Sequence, residues 1–167
     1  MSNTARFSET HGIVPLEYAE LDNYNAGATW DSVNMAKYNH CTIIIVGNDD
    51  VAGDGVLTIY GATADGGTDA AITFTYRYSS GDKGSASSDV YGTPATSAAL
   101  TITGTSFAKR ILLIEIDAED LCISGTQYQY ITPVLSAAGT DGEITATAIL
   151  SEPRYATAVM PTAIPTS

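Results

Sequence analysis

Apolar and polar residues alternate along this chain in short runs separated by Gly, Ser, Thr, Asp and Asn. CTIIIVG at 41–47, GVLTIYGA at 55–62, AAITFTYRY at 70–78, ALTIT at 99–103, RILLIEI at 110–116, YQYITPVLS at 128–136 and EITATAIL at 143–150 carry apolar or aromatic residues at every second position or as brief apolar blocks. A period of two puts every second side chain on one face of a strand, and several such runs with turn residues between them predict an all-β sandwich or barrel. The intervening segments NDDVAGDG (48–55), TADGGTD (63–69) and SSGDKGSASSD (79–89) are rich in residues that tolerate turns and positive φ. The helix-like element in this pattern is DAEDL at 117–121, where Asp117 as N-cap with Asp120 three residues on gives a single turn.

Three regions differ in character. Residues 1–27 are polar, and their segment GIVPLEY contains Pro15, which lacks a ladder donor and restricts the segment to an edge strand or an extended arm. Residues 28–150 hold the strand pattern. Residues 151–167 hold three of the six prolines and are expected as an extended tail lying on a surface. The expected architecture is a single antiparallel β-sandwich or jelly-roll-like domain with an extended N-terminal arm and a Pro-containing C-terminal tail. At 167 residues such a domain buries roughly 70% of its unfolded-chain surface and requires neither metal nor disulfide.

Charge narrows the partners. The net charge is −12 and only seven residues are Lys or Arg, scattered singly or in one pair, so the phosphate neutralisation that nucleic-acid binding needs is missing. Anionic membrane surfaces are disfavoured on the same ground, and no apolar run approaches the ~18 residues of a membrane helix. Charged residues make up 16% of the chain, against roughly 25% in ordinary soluble domains, so solubility rests on Ser, Thr, Asn and Gly. Cys41 and Cys122 lie in apolar sequence surroundings and are expected as free buried thiols. The start, MSNTARFSETHG, has no charged segment followed by an apolar one, so synthesis in the cytosol of the producing cell is expected.

Several constellations suggest chemistry, and each has a simpler explanation. Asp49, Asp50 and Asp54 beside Asn48 offer oxygen ligands to calcium, but their spacing matches no EF-hand loop, and a solvated turn accounts for them. Asp117, Glu119 and Asp120 sit too close together to straddle a glycosidic bond, and capping explains them. His40 and Cys41 resemble a nucleophile and its base, yet consecutive strand residues point to opposite faces. No G-x-S-x-G or H-E-x-x-H pattern occurs. The expectation is a non-enzymatic protein with no catalytic residues, no bound metal and no cofactor.

Aromatic pairs are candidates for contact. Tyr76 and Tyr78, and likewise Tyr128 and Tyr130, occupy alternate positions, so each pair lines one face of its strand. Such pairs stabilise sheets, serve subunit contacts or form platforms for sugars; the core or sheet-face reading ranks first, subunit contact second and a ligand platform last. Trp30 reads as a core anchor. From the arm, Pro15, Leu16 and Tyr18, and from the tail, Arg154, Tyr155 and Met160, are the further candidate interface residues.

The succession SVNMAKYNHCTIIIVG, GVLTIYGATA, AITFTYRY, ILLIEIDAEDL, YQYITPVLSAAG and ITATAILSEPRYATAVMPTAI, roughly residues 30–164, resembles head-associated proteins of tailed bacteriophages, of the decoration or cement type. KYNHCTIIIVG and ILSEPRYATAVMPTAI carry most of that resemblance. It implies a compact β protein on the capsid surface of a virion, made in the host cytoplasm, with the major capsid protein as partner and a homotrimer as the assembly, stapling neighbouring capsid subunits. It carries over no functional residue set. A receptor- or carbohydrate-binding module of a phage tail or fibre shares the same β pattern, acidity and Tyr content and is the alternative.

Overall fold

The computed structural model describes residues 6–18, 23–139 and 141–154. Fourteen strands occur among them, in chain order β1 (Gly12–Glu17), β2 (Ala28–Thr29), β3 (Val33–Asn34), β4 (Tyr38–Gly47), β5 (Asp54–Ala62), β6 (Ala70–Ala71), β7 (Phe74–Tyr78), β8 (Ala95–Ser97), β9 (Leu100–Thr103), β10 (Ile111–Asp117), β11 (Cys122–Ile123), β12 (Thr126–Gln127), β13 (Tyr130–Leu135) and β14 (Ile144–Pro153). One large sheet has the order β1-β14-β4-β10-β7-β8; a second runs β2-β13-β5-β6, with β3 also on β13 and β9 also on β5, and β11 and β12 form a separate two-stranded sheet. Every paired strand is antiparallel to its neighbour. The two sheets share one core, an all-β sandwich.

Alternation produces that core. On β4 the side chains of Cys41, Ile43 and Ile45 are fully buried, as are Leu112, Ile114 and Ile116 on β10 and Ala146, Ala148 and Leu150 on β14. Leu57 and Ile59 on β5, Ile102 on β9 and Ile131 on β13 meet them from the second sheet in one cluster. Fully burying an Ile or Leu side chain contributes about 1.5–3 kcal/mol, so these two facing layers supply the main driving force. The alanines of β14 are fully buried at the centre, where small residues leave room for the larger chains opposite.

The run AAITFTYRY does not form one strand. Its first part, β6, pairs with β5 in the second sheet, and its second part, β7, pairs with β10 in the first. Ile72 fills the crossing: its side chain is buried and its N–H donates to the Ile59 carbonyl at 2.9 Å. A chain that switches sheets closes a corner of the sandwich, and the apolar residue at the bend is what the sequence reads as strand continuity.

The N-terminal segment departs from a free arm. GIVPLEY supplies β1, an edge strand paired to β14 with Gly12 opposite Leu150 and a register shift between Pro15 and Glu17. Pro15 is tolerated there because an edge strand leaves one row of backbone donors unused. Tyr24, in the turn of helix Asn23–Ala26, is fully buried and donates to the Ile102 carbonyl at 2.8 Å. The boundary expected at residue 27 therefore falls within the body, and β14 continues through Pro153, past the boundary expected at 150.

Short helical turns also occur at Phe7–Thr10 and Gly104–Phe107. Their polar and glycine-containing sequences gave no helical period to read. The turn expected at 117–121 is a 3-10 turn, Ala118–Leu121, with the Asp120 carboxylate accepting the Asp117 N–H at 2.9 Å.

Candidate functional site

The features available for function are the two outward faces of the sandwich, its ends, and a pocket at one rim. On the first sheet the outward face mixes aliphatic side chains with Thr42, Thr145 and Thr147 and with the charged Glu115 and Asp117. Ile13 lies opposite Ile149, Thr147 opposite Ile44, Ile44 opposite Leu113 and Val46 opposite Ile111. Ile13 is 54% exposed and Val46 40%. On the second sheet the outward face carries Thr58 and Tyr60 on β5, Thr132 and Val134 on β13 and Thr101 on β9, with Val134 opposite Thr58 and Thr132 opposite Tyr60.

At one end of the first sheet, His40 Nδ1 lies 2.7 Å from Asp117 Oδ1 and its Nε2 lies 3.2 Å from Thr42 Oγ1. His40 and Thr42 share the outward face of β4, while Cys41 between them points into the core, so the strand geometry separates His40 from Cys41 as the alternation requires. Burial pushes the Cys41 thiol up to about 12 from its ordinary 9.0, which makes it inert as a nucleophile. Cys122, expected to be buried, is exposed at the start of β11, and both thiols are free. On the β11–β12 hairpin it is the neighbouring Ile123 that packs against the core, and alternation turns Cys122 outward.

At the opposite rim a pocket of about 280 Å³ is lined by Val46 and Ile111 on its apolar side and by Ser79, Lys83, Tyr91 and Lys109 among its polar residues. Lys109 adopts φ 63 and its ammonium lies 3.6 Å from Asp49. The acidic loop that follows β4 is organised internally: the Asn48 side-chain oxygen accepts N–H groups from Asp50 at 3.1 Å and Glu143 at 3.2 Å. That is an Asx turn tied to the start of β14.

The expected contact residues distribute unevenly. Tyr76 and Tyr78 do share a strand face, but it is the face that carries Phe74, turned toward the core. Their rings form an edge-to-face series, Phe74 to Tyr76 at 6.5 Å, Tyr76 to Tyr78 at 5.9 Å and Tyr78 to Phe107 at 6.2 Å. Burial first, then the neighbouring phenols of Tyr76 and Tyr24, push the Tyr78 hydroxyl up to about 12. The second pair does not share a strand. β13 begins at Tyr130, and Tyr128 precedes it, held by its N–H to the Leu121 carbonyl at 3.0 Å. The Tyr128 ring covers Gly61, where an added Cβ would meet it at 3.0 Å; a bare glycine lets the ring lie flat on the sheet.

Leu16, taken from the arm as a contact residue, is 4% exposed and belongs to the core, because it alternates with Pro15 on an edge strand whose inner face is covered. Pro15 and Tyr18 are exposed, Tyr18 by 63%. Arg154 is exposed and its N–H donates to the Lys37 carbonyl at 2.9 Å. Tyr155 and Met160 lie outside the described residues. Trp30 is buried in the core, as an anchor. Sequence reading missed the outward residues of the first sheet. The signal was present in CTIIIVG and RILLIEI, which are apolar at consecutive positions and therefore apolar on both faces.

No protein-family model matches the chain, and no curated protein matches it by sequence. Among solved structures it is similar to the SPBc2 prophage-derived protein YomS, at 9% identity over 84% of this chain and 91% of that one, with a TM-score of 0.50. The Tobacco streak virus coat protein aligns at 11% identity over 95% of this chain and 96% of that one, with a TM-score of 0.34. At these identities the likeness to YomS is one of fold.

Proposed function

We propose that this protein is a non-enzymatic structural subunit of a virion, decorating and cementing the capsid exterior of a tailed phage as a homotrimer that bridges neighbouring subunits of the major capsid protein. The observation that carries this reading is the pairing of β1 with β14: Gly12 lies opposite Leu150, which joins the first and last described strands in one rigid sheet. In an assembly of several copies each further contact is effectively intramolecular. Weak individual contacts then suffice. The prophage origin of a protein with this fold and the acidic charge are consistent with the reading.

The test is retention on particles. Full-length chain and a chain ending at Arg154 are each added to particles lacking the protein, and bound copies are counted after sedimentation. The truncated chain is expected to fold with an unchanged circular-dichroism spectrum and to be retained less well. Equal retention of both forms, or density for the protein confined to the tail tip in micrographs of the parent particle, overturns the reading.

A further inference from the structure

The rim pocket of about 280 Å³ lies between the end of the first sheet and the loop 79–91. Val46 and Ile111, opposite each other on β4 and β10, give it an aliphatic side, and Tyr91 lines it as well. The loop is pinned in place. The Ser79 hydroxyl donates to the Gly81 carbonyl at 3.0 Å and accepts the Ile111 N–H at 3.1 Å. The Lys83 N–H donates to the Lys109 carbonyl at 2.7 Å, and the Ser80 N–H to the Val90 carbonyl at 2.6 Å. A concave site fixed in this way is formed before a ligand arrives, so binding does not have to order it.

Charge is unevenly placed around it. Of the seven cationic residues in a chain with nineteen carboxylates, Lys83, Lys109 and Arg110 fall at this rim. Arg110 is engaged, its Nε 3.1 Å from Asp82. The Lys109 ammonium is 3.6 Å from Asp49, beyond hydrogen-bond distance, and the Lys83 ammonium makes no ion pair among the described residues. Asp89 is the carboxylate among the lining residues, so two ammonium groups stand against one acid. Lys109 holds φ 63, a backbone conformation that favours glycine, and its side chain is therefore placed there at a local conformational cost.

We propose that this pocket binds a small organic carboxylate with an aliphatic body, its charge taken by Lys83 and Lys109 and its carbon chain laid on Val46 and Ile111. The site is separate from any capsid contact and belongs to the subunit itself. Inorganic phosphate would leave the aliphatic side wet, and the segment GDKGS lacks the G-x-x-x-x-G-K-[ST] spacing of a phosphate cradle. An uncharged apolar molecule would leave the free ammonium of Lys83 unused. A carboxylate on an apolar body satisfies both halves of the lining. The volume is at the lower end of the roughly 300–1,000 Å³ of small-molecule sites, which suits a short aliphatic acid and not a nucleotide. Asp89 repels a second negative charge, so a monocarboxylate fits better than a dicarboxylate.

Titration of the isotope-labelled full-length protein with octanoate, followed by amide chemical shifts, tests this. Shifts are expected at Lys83, Tyr91, Lys109 and Ile111, with a dissociation constant of about 1 mM. Octanamide, which keeps the body and loses the charge, and acetate, which keeps the charge and loses the body, are each expected to bind about tenfold more weakly. Lys83→Gln and Val46→Asn should each weaken octanoate about fivefold or more. Lys37→Gln, an exposed lysine preceding the other end of β4, should leave it unchanged. If Val46→Asn fails to fold, Lys83→Gln decides, because that side chain is exposed on the loop. No shift at these amides up to about 20 mM, octanamide bound as well as octanoate, or binding undiminished by Lys83→Gln overturns the inference. Binding of an acetyl-Leu-Glu amide peptide without binding of octanoate overturns it as well, and makes the pocket a site for a protein segment.

Discussion

The two sheets are built alike on the inside and differently on the outside. Inward, both present Ile, Leu and Val at every second position. Outward, the second sheet presents Thr58, Tyr60, Thr101 and Thr132 together with Val56 and Val134, and part of it is closed by the chain itself: Ser32 Oγ and Thr132 Oγ1 lie 2.7 Å apart, both buried, and the Gly66 N–H donates to Ser32 at 2.9 Å. The first sheet presents Ile13, Ile44, Leu113 and Ile149 outward, interleaved with Thr42, Thr145 and Thr147, while Val46 and Ile111 line the rim pocket with Ser79, Lys83 and Tyr91. A sheet whose outer face is hydroxyl-rich can be finished with water and short loops. One whose outer face is aliphatic gains free energy from anything that covers it. The contrast is one of degree: the first sheet carries the larger share of aliphatic side chains outward.

The inside of the first sheet sets the scale against which its outside is judged. Ile43→Ala, at a fully buried position, is expected to lower stability by about 2–5 kcal/mol in urea titration. Ile44→Ala, the adjacent residue on the outward face, should cost under about 1 kcal/mol in the monomer. Similar losses at both positions would show that the outer face is covered within one chain.

The closed part of the second sheet is tested by Thr132→Val. Removing the hydroxyl leaves buried Ser32 without its side-chain partner, a loss of about 1–3 kcal/mol by the same titration. A neutral result means that the loop over this face is as wet as the face beside it.

Alkali probes the space between the faces. Tyr78 and Cys41 have folded values near 12, raised from ordinary values of 10.0 and 9.0. A raised value means that the unfolded chain loses its proton first, so the stabilisation is fully present below about pH 9 and is lost as pH rises toward 12. Urea midpoints should therefore fall steadily across that interval. A midpoint that stays flat up to pH 12 would mean that these groups are solvated. At neutral pH, an alkylating reagent should label Cys122 in the native protein and Cys41 only after unfolding.

The smallest effect is expected from converting one outer face toward the other. Ile44→Thr should change monomer stability by no more than about 0.5 kcal/mol, since threonine keeps the β-branched shape suited to a strand. Light scattering of concentrated solutions then reports whether the hydroxyl suffices to make the first face behave like the second.

The chain by itself determined the strands and much of the core. EITATAIL and GVLTIYGA largely alternate, so their inward residues Ile144, Ala146, Ala148, Leu57 and Ile59 were readable from spacing, whereas Pro15 restricted its segment to an edge strand or an extended arm without deciding between them. The alternation of Tyr76 and Tyr78 fixed that they share a face but not which one, since a tyrosine suits an interior and an interface equally well. The break of 70–78 into strands of two different sheets was illegible for a related reason: Ile72, at the bend, is as apolar as a strand residue. Tertiary structure also decided the pairing of β1 with β14 across the length of the chain, which no local pattern encodes. In TIIIV and ILLI consecutive residues are all apolar, so periodicity assigns no face. Ile43 and Ile45 became interior and Ile44 and Val46 exterior only when a second sheet covered one side of β4, because burial is a property of the partner layer and not of the strand.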